Sequence, residues 1–72
     1  MSKNLASLAK QVESLEGVDI SNASLNDDLD LYLDVPAGLV NIMLALAPGS
    51  DKDWSELKTI QDLLDIIPEK NL

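Results

Sequence analysis

Apolar positions along this chain follow a helical spacing near both ends and alternate in the middle. Leu5, Leu8, Val12 and Leu15 succeed one another at three- and four-residue steps, which gathers them on one stripe of a helix. Ser2 or Asn4 can cap the start, and Gly17 directly after Glu16 suits the left-handed residue that closes a helix. The first helix is therefore predicted over residues 3–16.

Residues 17–34 read as a long connection. Asn22, Ser24 and Asn26 supply turn chemistry, and Ser24 with Asp27 resembles a capping pair able to start a single helical turn. Leu29, Leu31 and Leu33 alternate with Asp30, Tyr32 and Asp34, the period of a strand, but no second strand is present to pair with it. An extended segment pinned by its leucines is the expectation. So long a connection within a small domain calls for packing, which Val18, Ile20, Leu25 and Leu29 can provide.

Pro36 opens the second helix, where a missing N–H is tolerated, and Leu39, Val40, Ile42, Met43 and Leu46 make it apolar nearly all round until Pro48-Gly49. Gly38 inside that helix costs roughly 1 kcal/mol relative to Ala, which points to close helix packing. Ser50 with Asp53 predicts a short helix through Trp54 and Leu57. Thr59 with Asp62 predicts a last helix carrying Ile60, Leu63, Leu64 and Ile67 until Pro68. The fold class expected is all-α: one domain over residues 1–72, a small four-helix bundle with a long loop after the first helix and a short third helix.

Composition agrees with that layout. Leu, Ile and Val number 14, 5 and 4 against one Trp, one Tyr and no Phe, an aliphatic supply suited to helix packing. The chain has neither Cys nor His, which removes thiolate metal sites, disulfides and imidazole catalysis. No apolar run reaches the roughly 20 residues of a membrane span, no signal-peptide core opens the chain, and a cytoplasmic protein is expected.

Charge narrows the partners. Thirteen acids against five lysines leave a net charge of −8, and no base lies between Lys10 and Lys52. Nucleic acid and anionic membranes are expected to be repelled. Asp51, Asp53, Ser55 and Asp62 mimic part of a calcium-loop spacing, but Glu56 stands where the loop needs Gly, and helix capping explains these residues better. Asn22-Ala23-Ser24 matches a glycosylation acceptor with no sign of secretion beside it. No catalytic residue, metal or cofactor is expected.

Several phrases resemble the acyl carrier protein family. Asn22-Ala23-Ser24-Leu25-Asn26-Asp27-Asp28-Leu29 is similar to that family's loop, and Asp30-Leu31-Tyr32-Leu33-Asp34 to its Asp-Leu-Gly-Leu-Asp lead into the modified serine. Ile42-Met43 to Leu46 resembles its second helix, and Thr59 to Ile67 its last. The serine that carries the phosphopantetheine arm is replaced by Val35, followed by Pro36, so no phosphodiester can form there. The resemblance implies an acyl-carrier-like bundle, degenerate at its attachment site, that docks on basic enzyme surfaces.

The function expected is a small acidic protein-binding module, not an enzyme, that acts as adaptor, scaffold or regulator. Asp27, Asp28, Asp30, Asp34 and Asn41 form its recognition face toward a protein with a basic surface. The alternatives are a functional acyl or aminoacyl carrier with an atypical attachment site, and an acidic nucleic-acid mimic or inhibitor. The apolar second helix also leaves a homodimer open.

Overall fold

A computed structural model of the chain describes residues 3–72. Helix α1 spans Leu5–Glu16. Its start is fixed by Asn4, whose side-chain oxygen accepts the Ser7 N–H at 2.9 Å. Its end is fixed by Gly17, which turns left-handed at φ 69° while its N–H reaches the Glu13 carbonyl. The alternative cap, Ser2, lies outside the described residues.

Helix α2 spans Ala37–Leu46 and begins directly after Pro36. It has no side-chain cap; the Asp34 carbonyl instead accepts the N–H groups of Gly38 and Leu39 at 2.7 and 3.2 Å. Its other end is held from a distance, because the Asn71 side-chain amide donates to the Leu46 carbonyl at 2.7 Å. Helix α3 spans Ile60–Ile66 behind a reciprocal capping box between Thr59 and Asp62, as the sequence predicts. Single 3-10 turns occupy Leu29–Leu31, Trp54–Glu56 and Glu69–Asn71.

The class is all-α, with three α-helices among the described residues. The short third helix expected after Ser50 is only a 3-10 turn. Ser50 does not cap it: its hydroxyl accepts the Lys52 N–H, while Asp53 and Glu56 form the capping box. The turn cannot lengthen, because Leu57 leaves it in extended backbone and the Lys58 carbonyl accepts the Leu29 N–H at 2.8 Å.

The extended segment expected over Leu29–Leu33 is also a turn. Tyr32 and Leu33 both donate their N–H to the Leu29 carbonyl. This places Leu29 and Leu33 inside and leaves Leu31 67% exposed, so burial follows a four-residue step rather than alternation. The rest of the connection is packed as expected, with Ile20 buried and Val18 and Leu25 against the core.

One apolar cluster joins all these elements: Leu8 and Val12 from α1, Leu39 and Ile42 from α2, Ile60 and Leu63 from α3. No polar or charged residue is buried among those described, so the core carries no desolvation cost for unpaired polar groups. Gly38 is buried in this region, but no second backbone presses on it. A Cβ there would meet the Glu16 Oε1 of α1 at 3.0 Å, the far end of a flexible side chain.

Helix α2 has more apolar surface than the core uses. Ile42 is fully buried, while Leu44, two residues on, is 67% exposed. Ile42→Ala is expected to lower unfolding free energy by about 2–5 kcal/mol and Leu44→Ala by less than about 0.5 kcal/mol. Urea denaturation of both variants checks the contrast.

Candidate functional site: an acidic segment before the second helix

The acidic residues from Asp27 to Asp34 sit where the long connection meets the start of α3. Three backbone bonds make that junction. Leu29 donates to the Lys58 carbonyl, Ile60 donates to the Asp27 carbonyl at 3.0 Å, and Gln61 donates to the Leu25 carbonyl at 2.9 Å. The last two satisfy N–H groups that a helix start otherwise leaves without intrahelical partners. Asp28 and Thr59 thereby form an isolated antiparallel bridge.

Of the five expected recognition residues, Asp27 is occupied inside the fold. Its carboxylate accepts the Tyr32 hydroxyl at 2.6 Å and the Ser24 N–H at 3.0 Å. Those two bonds, the tyrosine's foremost, hold its pKa below the usual carboxylate range. The same contact pushes the Tyr32 hydroxyl above its ordinary value. Asp28, Asp30 and Asp34 have no such side-chain bond among the described residues.

The remaining four fall into two neighbouring groups. Asp28 and Asp30 edge a small cavity of about 140 Å³ together with Leu29, Val35, Leu57 and Lys58. Asp34 precedes α2 and Asn41 lies within it; Asn41 donates to Glu16 at 3.4 Å, and Asp34 and Glu16 both approach Gly38. Glu16 thus joins the acidic face from α1, a placement that only the tertiary packing of Gly38 creates. Val35 is half-buried at the cavity edge and offers no hydroxyl.

An apolar groove of about 210 Å³ lies apart from these acids, bounded by Val40, Met43 and Leu44 of α2 and by Trp54, with Lys52 and Asp53 also lining it. The sequence signals this surplus through the near-continuous apolar run of α2, but not which face remains open. Trp54 packs against the core cluster and forms one wall. No group of three or more Asp or Glu side chains among the described residues is placed to hold a metal ion, and no described helix is long and apolar enough to cross a membrane.

Two further carboxylates are spent on local structure. Asp62 is held below its ordinary pKa by the N–H groups of Lys58 and Thr59, and Asp19 by the hydroxyl and N–H of Ser21. Folded values below unfolded ones mean that these groups stabilise the fold above the unfolded carboxylate range, near pH 4, and that this contribution disappears as pH falls through the folded values. Thr59→Ala is expected to cost about 1 kcal/mol through loss of the cap, read by thermal or urea unfolding. Tyr32→Phe is expected to raise the Asp27 pKa toward that of an ordinary carboxylate, measured by NMR titration of the side-chain carbon.

No family model, curated protein or solved structure matches this chain.

Proposed function

We propose that the protein is a small acidic binding module, without catalysis of its own, that engages a protein with a basic surface through the connection before α2 and α2 itself. One observation carries this reading. Asp28, Asp30 and Asp34 are ordered in a short stretch with no side-chain hydrogen bond among the described residues, although neighbouring Asp27 is bound twice. Structural acids in this fold are engaged by N–H or hydroxyl groups, as Asp19, Asp27 and Asp62 are. Three adjacent acids left over are available to an outside cation.

The net charge of −8 supports the same reading, because it steers cationic partners toward the chain and makes association depend on salt. The Thr-capped last helix supports the finer proposal of a degenerate carrier-like module, while the 3-10 turn at Trp54–Glu56 departs from the short third helix of that layout. Such a module carries no arm at Val35 and works as adaptor, scaffold or regulator.

Asp28, Asp30 and Asp34 lie outside the buried cluster, so Asp28→Asn, Asp30→Asn and Asp34→Asn together are expected to leave the fold intact. Native mass spectrometry of the protein isolated gently from its source cells is expected to show an unmodified chain in a complex that weakens as ionic strength rises. The triple variant is expected to form that complex more weakly and with a shallower salt dependence. A complex indifferent both to salt and to the three substitutions would overturn the proposal.

A further inference from the structure

Helix α2 carries no charged residue from Ala37 to Leu46, and one side of it stays open. Val40, Met43 and Leu44, with Ala47 at the helix end, line the apolar groove that Trp54 also bounds. Leu44 is two-thirds exposed there, while Val40, Met43 and Trp54 are half-buried. At about 100° per residue, the four aliphatic positions centre about 190° round the helix from Gly38. Glu16 and Asp34, which approach Gly38, therefore stand on the far side of α2 from this groove.

Several occupants fit this face poorly. At about 210 Å³ the groove lies below the roughly 300–1,000 Å³ of small-molecule pockets, so it suits an inserted side chain better than a free ligand. An extended peptide finds no sheet edge to join, because the strand-like pairing among the described residues is one isolated bridge. The charged lining is one base, Lys52, and one acid, Asp53, which favours neither a cationic nor an anionic partner. A balanced pair is what a second copy of the chain requires. A surface that meets itself about a two-fold axis must hold both halves of each complementary contact. This one holds a groove and an exposed leucine to fill it, a lysine and a carboxylate to face it. With thirteen acids against five lysines in the chain, contact between copies elsewhere sets, on average, an excess of acid against acid.

We infer that two copies of the chain associate about a two-fold axis through this face, Leu44 of each entering the groove between α2 and Trp54 of the other and Lys52 of each facing Asp53 of the other. The Ser55 hydroxyl donates to Asp53 at 2.8 Å, but a carboxylate accepts several donors and keeps its charge. The groove is lined by nine residues, against the roughly 20–30 a side of a standard interface, so the dimer is weak and reversible. Two chains at −8 repel each other over distance, and salt screens that repulsion while leaving the apolar contact in place. Self-association therefore strengthens as ionic strength rises, the opposite of the response expected for a basic partner on the acidic segment. The two readings use different faces, and neither depends on the other.

The test is sedimentation equilibrium of the whole chain from micromolar to millimolar concentration, at low and high salt, with amide NMR spectra recorded along the same dilution. A monomer–dimer equilibrium is expected, with concentration-dependent shifts at Val40, Met43, Leu44, Ala47 and the Trp54 indole. Leu44→Ser is expected to weaken it about tenfold or more, since each dimer loses two leucine contacts. Lys52→Glu is expected to weaken it about threefold or more beyond Lys10→Glu, which makes the same change of net charge on α1. Unchanged amide positions at Leu8 and Ile60 in the dilute variants show that they keep the fold. A monomer at every concentration and salt would overturn the inference and leave the acidic-segment reading standing. So would a dimer indifferent to Leu44→Ser, dilution shifts confined to Asp28–Asp34, or growth past the dimer into open chains. Lys52→Glu associating as strongly as Lys10→Glu would overturn the pairing with Asp53.

Discussion

The start of α3 depends on a backbone exchange with a segment far upstream. A helix of seven residues is too short to hold itself in water, since nucleation consumes most of what its few hydrogen bonds return. Here its first N–H groups are met by the Asp27 and Leu25 carbonyls and by the Thr59 hydroxyl, while Asp62 closes the Lys58 and Thr59 N–H groups behind it. The exchange is mutual, because Lys58 in turn receives the Leu29 N–H. Once that junction exists, Leu29 and Ile60 are set side by side in sequence of bonding, and both reach the common core. The acidic segment is held in place by the same bonds, so its ordering is a by-product of capping a helix.

How much of this is legible in the sequence depends on whether the cause is local. Gly17 and the Thr59–Asp62 pair act within a turn or two and are found where the spacing puts them. Leu8 and Val12 of the α1 stripe are buried, while Leu15 at its end is 41% exposed. Leu29, Leu31 and Leu33 mislead because three alternating leucines fit a strand, whereas two carbonyl-sharing N–H bonds wind the segment and turn Leu31 outward. The turn at Trp54 is shorter than its capping signals suggest because the residues after it are claimed by the loop. Neither outcome can be read without knowing that residues near 28 and 59 meet. The same holds for the face itself: Asp28, Asp30, Asp34 and Asn41 are visible in the sequence as acids and an amide, but Glu16 joins them only through the approach of α1 to Gly38.

In a binding module of the kind proposed, charge and apolar surface divide the work of recognition. Acids without internal partners act at a distance and govern how fast a partner arrives, while a desolvated contact governs how long it stays. Asp27 illustrates the internal competition for carboxylates. Its bonds to Tyr32 and Ser24 fix the turn before α2, at the expense of one charge otherwise free to face outward. Asp28, Asp30 and Asp34 have no such side-chain bond among the described residues.

The bridge between the two distant segments also bears on the order in which the chain assembles. Helical proteins usually fold quickly because their contacts are close in sequence, but α3 here must wait for a segment on the far side of α2. The ten residues of α2 span over 30 Å when extended and roughly 15 Å when helical. Winding α2 first shortens the path that the two segments must search, so the most apolar helix of the chain is also its natural early spacer.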